Sequence, residues 1–142
     1  NGDICVMRVL IVGIGGFLGA LARYYLSLPL NSGSLFPWGT LVVNLAGSFF
    51  LALFLTVALK RHSQRSHLVL AVSTGFTGSF TTFSSVSVEI INLSAISPAL
   101  TLAYVLISFT AGLGLAFSGR RLGEFVNHLT ERMPAREAGE VD

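Results

Sequence analysis

The chain has 142 residues, 52% of them apolar and only 11% charged, with a mean hydropathy of +0.73. A soluble domain of this size carries about twice that share of charge, whereas here Arg23 is the sole charged side chain from Val9 to Leu59, and Glu89 the sole one from Leu68 to Gly119. The distribution excludes an ordinary soluble fold. The basic residues gather at the ends of apolar runs instead of forming a patterned surface, which excludes nucleic acid as a partner despite a net charge of +2; the single Cys5 excludes a disulfide framework or a cysteine-based metal site.

Each of the two nearly uncharged stretches holds two spans of about 20 residues and a turn, so an all-α membrane protein of four transmembrane helices is expected. The first span is expected over Arg8 to Leu28, stopped by Pro29 and the Asn31-Ser32-Gly33-Ser34 turn. Arg8, the apolar run after it and Ala20-Leu21-Ala22 also have the order of a cleavable signal peptide. The run is long for that role, and Gly15, Gly16, Gly19 and Ala20 offer the small faces on which membrane helices pack, so a retained span is expected. The second span is expected from Trp38, at interfacial depth, to Leu59, followed by a polar loop with Lys60, Arg61, His62, Arg65 and His67.

The third span is expected over Leu68 to Leu93 and the fourth over Pro98 to Phe117, joined by an uncharged turn. These give a channel-sized transmembrane domain over residues 1–119. Residues 120–142 form a C-terminal interfacial tail that frays into an acidic end, dispensable for chemistry. Four helices are too few to enclose a polar path in lipid, where backbone cannot be left unpaired, so a dimer is expected.

Chemistry concentrates in the third span. From Ser73 to Ser87, nine of fifteen residues are Ser or Thr, with Gly75 and Gly78 among them. One reading is a helix whose hydroxyls bond back to carbonyls a turn earlier. The other is a helix broken near its middle, beside Thr81-Thr82, whose freed carbonyls and hydroxyls line an ion path. In the second span Thr40, Asn44, Gly47 and Ser48 fall at spacings of three and four and so share one polar, small-residue face. The Asn44 amide on that face either bonds an anion or joins two helices. Tyr104 and Ser108, four apart, present hydroxyls on one face of the fourth span. Arg23 and Glu89 each cost about 2.5–3.5 kcal/mol at a bilayer centre, so each needs an interface, a vestibule or a partner. Arg23 is placed to snorkel, and Glu89 to anchor helix ends through hydrogen bonds.

Three segments together resemble one family: Gly15-Gly16-Phe17-Leu18-Gly19-Ala20-Leu21-Ala22-Arg23-Tyr24, then Gly39-Thr40-Leu41-Val42-Val43-Asn44, then Gly75-Phe76-Thr77-Gly78-Ser79-Phe80-Thr81-Thr82-Phe83-Ser84 with Glu89 following. In order and spacing they resemble the Fluc/CrcB fluoride channels. The resemblance implies an antiparallel (inverted) dimer with two fluoride paths and a structural sodium ion at the dimer interface, held by backbone carbonyls that map to Gly78 and Thr81. It implies that Asn44 lines the path, that Phe83 turns a ring edge to fluoride, and that Tyr104 and Ser108 continue a polar track. Thr82 and Ser84 would add hydroxyls. The aromatic quadrupole leaves a ring edge positive, which gives the phenylalanine contact a physical basis.

Two positions depart from the family pattern. A second phenylalanine would fall at Val86, and a hydroxyl one turn beyond Ser108 is replaced by Gly112. A path built wholly from this chain lacks those groups, so the second subunit is either another copy or a paralogue that supplies them.

No carboxylate pair, nucleotide loop or other enzymatic constellation is present in the sequence, so passive fluoride export across the cell membrane is the expected activity, and not catalysis. The alternatives are a small proton-coupled transporter, which would need a carboxylate that the first span lacks, and a non-conducting assembly subunit. Near-membrane Lys and Arg are Arg8, Lys60, Arg61, Arg65, Arg120 and Arg121 on one side of a four-span topology, and none on the other. The positive-inside rule then places both termini in the cytoplasm.

Overall fold

The computed structural model describes residues 2–61 and 66–131, and the described residues are helical with no strand. Helix α1 spans Gly2–Asn31, α2 Trp38–Arg61 and α6 Pro98–Glu131. Between α2 and α6 lie shorter pieces: α3 at His67–Val69, a π-helical segment at Leu70–Thr77, α4 at Gly78–Phe80 and α5 at Phe83–Ile96. Three helices, α1, α2 and α6, are long and apolar enough to cross a membrane. The protein is therefore a multi-pass membrane protein. Within the stretch expected as the third span, helical geometry lapses at Thr81 (φ −79°, ψ 153°) and Thr82 (φ −147°, ψ 120°).

Helix α1 extends past both expected ends. Pro29 lies within it and not after it, since a proline one turn from a C-terminus removes only a single late hydrogen bond. Gly33, at φ +75°, then makes the turn, a left-handed conformation that glycine adopts without penalty. Asn31 Oδ1 accepts the Gly39 amide at 2.7 Å, fixing the end of α1 to the start of α2. Phe36 packs edge-on to Tyr104 in this same corner, with ring centroids 5.6 Å apart.

Two helix pairs pack through small residues. A Cβ on Gly15 would strike the Ala71 carbonyl, one on Gly19 the Phe76 carbonyl, and one on Gly75 would lie 2.7 Å from the Val12 carbonyl. Backbone thus meets backbone where α1 crosses the π-helical segment, as small-residue faces allow in lipid. Helix α6 continues beyond the expected end at Phe117 because Gly119, Gly123 and Asn127 recur every four residues on one face and are buried. Gly119 lies against Phe49 of α2 and Gly123 against Thr56, whose carbonyl accepts Asn127 Nδ2 at 2.9 Å. Lys60 and Glu131 close this end at 2.6 Å, and the hydrogen bond from the lysine, with its charge, holds the Glu131 carboxyl below the usual carboxylate range. Both side chains are half exposed, so the pair adds little stability. His62 and Arg65 of the polar loop, and the acidic end beyond residue 131, lie outside the described residues.

Candidate functional site

The polar stripe of α2 faces residues 81–89. Thr40 Oγ1 donates to Glu89 Oε1 at 2.5 Å, Asn44 contacts Thr82, and Gly47 lies directly under the Thr81 methyl group. Ser48 donates back to the Asn44 carbonyl at 2.9 Å.

Asn44 grips both polar groups of one residue. Its Nδ2 donates to the Thr82 carbonyl at 3.0 Å, and its Oδ1 accepts the Thr82 amide at 2.8 Å. In an unbroken helix the Thr82 amide would close on the Gly78 carbonyl. Asn44 therefore takes that donor away from Gly78. Thr82 in turn caps α5: its Oγ1 accepts the Ser85 amide at 3.1 Å, the donor that an unbroken helix would direct to the Thr81 carbonyl. The Gly78 and Thr81 carbonyls thus lose their helical donors at the interruption, as do those of Ser79 and Phe80 between them. The interruption presents opposite ends: carbonyls at the close of α4, and the positive dipole end where α5 begins at Phe83.

A cavity of about 300 Å³ opens beside this interruption, lined by Asn44, Thr82, Phe83, Val86 and Ser108 among others. Phe83 is 75% exposed, so its ring has no protein cover on that side. Ser108 Oγ is buried and makes no hydrogen bond. The remaining hydroxyls are committed locally: Thr82 Oγ1 donates to Ser85 Oγ at 3.1 Å, and Ser84 Oγ lies 3.1 Å from Thr82 Oγ1. Donors free to meet an anion in the cavity are the Ser108 hydroxyl, the second Asn44 N–H and the Phe83 ring edge.

Tyr104 is directed elsewhere. It is fully buried and donates to Glu89 Oε2 at 2.6 Å, so Glu89 collects the hydroxyls of Thr40 and Tyr104 and joins α2, α5 and α6. Glu89 also borders a second cavity, of about 180 Å³, with Asn31, Asn92 and Ile96. Arg23 is part-buried and has no ion pair among the described residues. Sequence reasoning missed the cap partner Ser85, although Thr82-Ser84-Ser85 has N-cap spacing. It also missed Leu51 and Phe109 on the cavity wall, which no local signal marks.

Comparison with known proteins gives the family. Residues 10–120 match the family model described as CrcB-like protein, Camphor Resistance (CrcB). The chain is 45% identical over 127 residues to the fluoride-specific ion channel FluC 1 of Bacillus thuringiensis subsp. konkukian (strain 97-27), covering 86% of this chain and 93% of that one. It is 44% identical over 116 residues to fluoride-specific ion channel FluC of Oceanobacillus iheyensis (81% and 90% covered), and 41% identical over 109 residues to FluC 1 of Desulfitobacterium hafniense (strain Y51) (76% and 96% covered). The chain therefore belongs to the CrcB family.

Proposed function

We propose that this protein is a subunit of a passive, fluoride-selective channel that lets fluoride leave the cell across its membrane. One observation carries the reading: the buried, unpartnered Ser108 hydroxyl faces the same cavity as the Asn44 amide and the Phe83 ring. A small, strongly hydrated anion gives up water only for short hydrogen bonds and a positive ring edge. A narrow apolar wall leaves larger chloride poorly solvated. A path of this kind needs no energy source, in keeping with membership of a channel family and not of an enzyme family.

In this reading residues 67–96 form one broken membrane span, and two subunits pair in inverted orientation about the break. Residues 1–119 form the channel proper, and α6 beyond Arg120 braces α2. The Gly78 and Thr81 carbonyls, deprived of helical donors, suit a hard monovalent cation, and sodium held there supplies structural charge compensation between subunits. Asn44 keeps those carbonyls free by holding Thr82, and Phe83 and Ser108 line the fluoride path. Tyr104 acts from behind through Glu89.

The second subunit is another copy or a paralogue. Val86, 8% exposed on the cavity wall, offers no ring edge beside Phe83, which favours a paralogue that brings one. The deciding experiment is fluoride efflux from liposomes holding this chain, alone and with the paralogue, against a chloride control. Fluoride leaving while chloride stays is the expected result. Equal flux of both ions would remove selectivity, and no flux in either preparation would leave an assembly subunit.

A further inference from the structure

Arg8 begins the apolar run of α1, and the next charge along the chain is Arg23. Its Nε is buried without a hydrogen-bond partner, and among the described residues no carboxylate pairs with its guanidinium. The same side chain heads a cavity of about 340 Å³ whose other walls are Val9, Val12 and Leu70. Leu70 opens the π-helical segment shortly after the polar loop. The groove therefore lies between α1 and the third span, at the depth where apolar sequence gives way to basic sequence.

The two parts of this groove ask for different chemistry. A buried N–H of a permanently charged guanidinium needs an acceptor, and the planar fork of arginine matches the oxygens of a phosphate. Walls of valine and leucine take hydrocarbon. A phospholipid carries both in this order at this depth, with its phosphate at the membrane surface and its chain running inward. The near-membrane charges Arg61 and Arg121 on this side favour a headgroup of net negative charge over one that adds its own cation. We propose that Arg8, Val9, Val12 and Leu70 form a binding site for one anionic phospholipid per subunit, the phosphate on the Arg8 guanidinium and an acyl chain along Val12 and Leu70. The site is independent of the fluoride path.

The test is native mass spectrometry of the full-length protein, in its assembled state, titrated with phosphatidylglycerol, with phosphatidylcholine of the same chains, and with inorganic phosphate. One phosphatidylglycerol per subunit is expected to survive detergent removal, with phosphatidylcholine and phosphate lost. Arg8→Gln should lose that adduct and Arg8→Lys retain it weakly, since lysine is a point charge without a fork. Arg120→Gln, an exposed residue already paired with Glu124, should keep it. Val9→Trp provides a second route should Arg8→Gln not fold: position 9 is 66% exposed, and a bulky ring there fills the groove while leaving the charge in place. An adduct that persists in Val9→Trp or Arg8→Gln would overturn the proposal. So would equal retention of phosphatidylcholine, phosphate bound without a chain, or an assembled protein that carries no lipid at this stoichiometry.

Discussion

Asn44 of α2 holds the amide and the carbonyl of Thr82 at once, at 2.8 Å and 3.0 Å. A single side chain thereby replaces the backbone ladder at the point where the chain lapses from helix. Asn44→Asp removes the donor and sets a carboxylate against the Thr82 carbonyl, leaving repulsion where a bond had been. Fluoride efflux should be abolished in that variant, with stability lowered by about 1–3 kcal/mol, the usual cost of an unmet buried group. Asn44→Ser is expected to retain part of the flux. Wild-type efflux in the Asp variant would show that the amide serves only to join helices.

Ser108 offers the opposite case, a buried hydroxyl with no bond to lose. Ser108→Ala should leave the melting temperature unchanged or raise it, since an unsatisfied buried polar group is removed. Fluoride efflux should nonetheless fall. A variant that melts lower and conducts normally would make Ser108 a structural residue.

These two residues also mark what the sequence made legible. The stripe Thr40, Asn44, Gly47 and Ser48 was visible from helical spacing alone, and its facing element, the Ser/Thr-rich third span, from composition. Which atoms meet was not visible, because the Asn44–Thr82 and Thr40–Glu89 bonds join residues 38 and 49 positions apart. Local pattern carries no register between two helices. Tyr104 shows the limit: its spacing to Ser108 suggested one shared polar face, yet its hydroxyl donates to Glu89, away from the Ser108 cavity. The end of α1 was misplaced for a different reason, as a proline rule for helix interiors does not govern the last turn.

Glu89 is the acceptor on which two buried hydroxyls depend. Glu89→Ala leaves Thr40 and Tyr104 without their acceptor, and two such losses at about 1–3 kcal/mol each should lower stability by about 2–6 kcal/mol. Glu89→Gln keeps one amide oxygen as acceptor and should fall between. Thermal unfolding in detergent checks the order wild type, Gln, Ala. Indistinguishable melting of all three would mean that the cluster joining α2, α5 and α6 contributes no net stability.

Sodium, if it sits on the Gly78 and Thr81 carbonyls, stabilises the assembled dimer by mass action. Replacing sodium with a large organic cation throughout purification should lower the dimer fraction or the fluoride flux, and restoring sodium should recover both. Dimer content and flux unaffected by thorough sodium removal would exclude a structural cation there.

The last prediction concerns orientation. With four spans, the amino terminus, the loop after α2 and the carboxyl end share one side, and their near-membrane basic residues are Arg8, Lys60, Arg61, Arg65, Arg120 and Arg121; the segments from Leu28 to Pro37 and from Ser94 to Pro98 contain no Lys or Arg. Arg23, nearer the opposite face, weakens this bias without reversing it. The positive-inside rule then directs both termini to the cytoplasm in most copies. An inverted dimer needs a subunit in each orientation, which one sequence supplies only when its charge bias is weak. Val86 points the same way, because it places an aliphatic side chain on the cavity wall beside Phe83. This chain expressed alone should therefore insert in one orientation and conduct poorly, and co-expression with an oppositely biased paralogue should restore fluoride flux. Accessibility labelling of both termini, read with liposome efflux on the same preparation, checks both halves of the expectation. Mixed orientation with full activity from this chain alone would establish a homodimer and remove the need for a partner that carries the second ring.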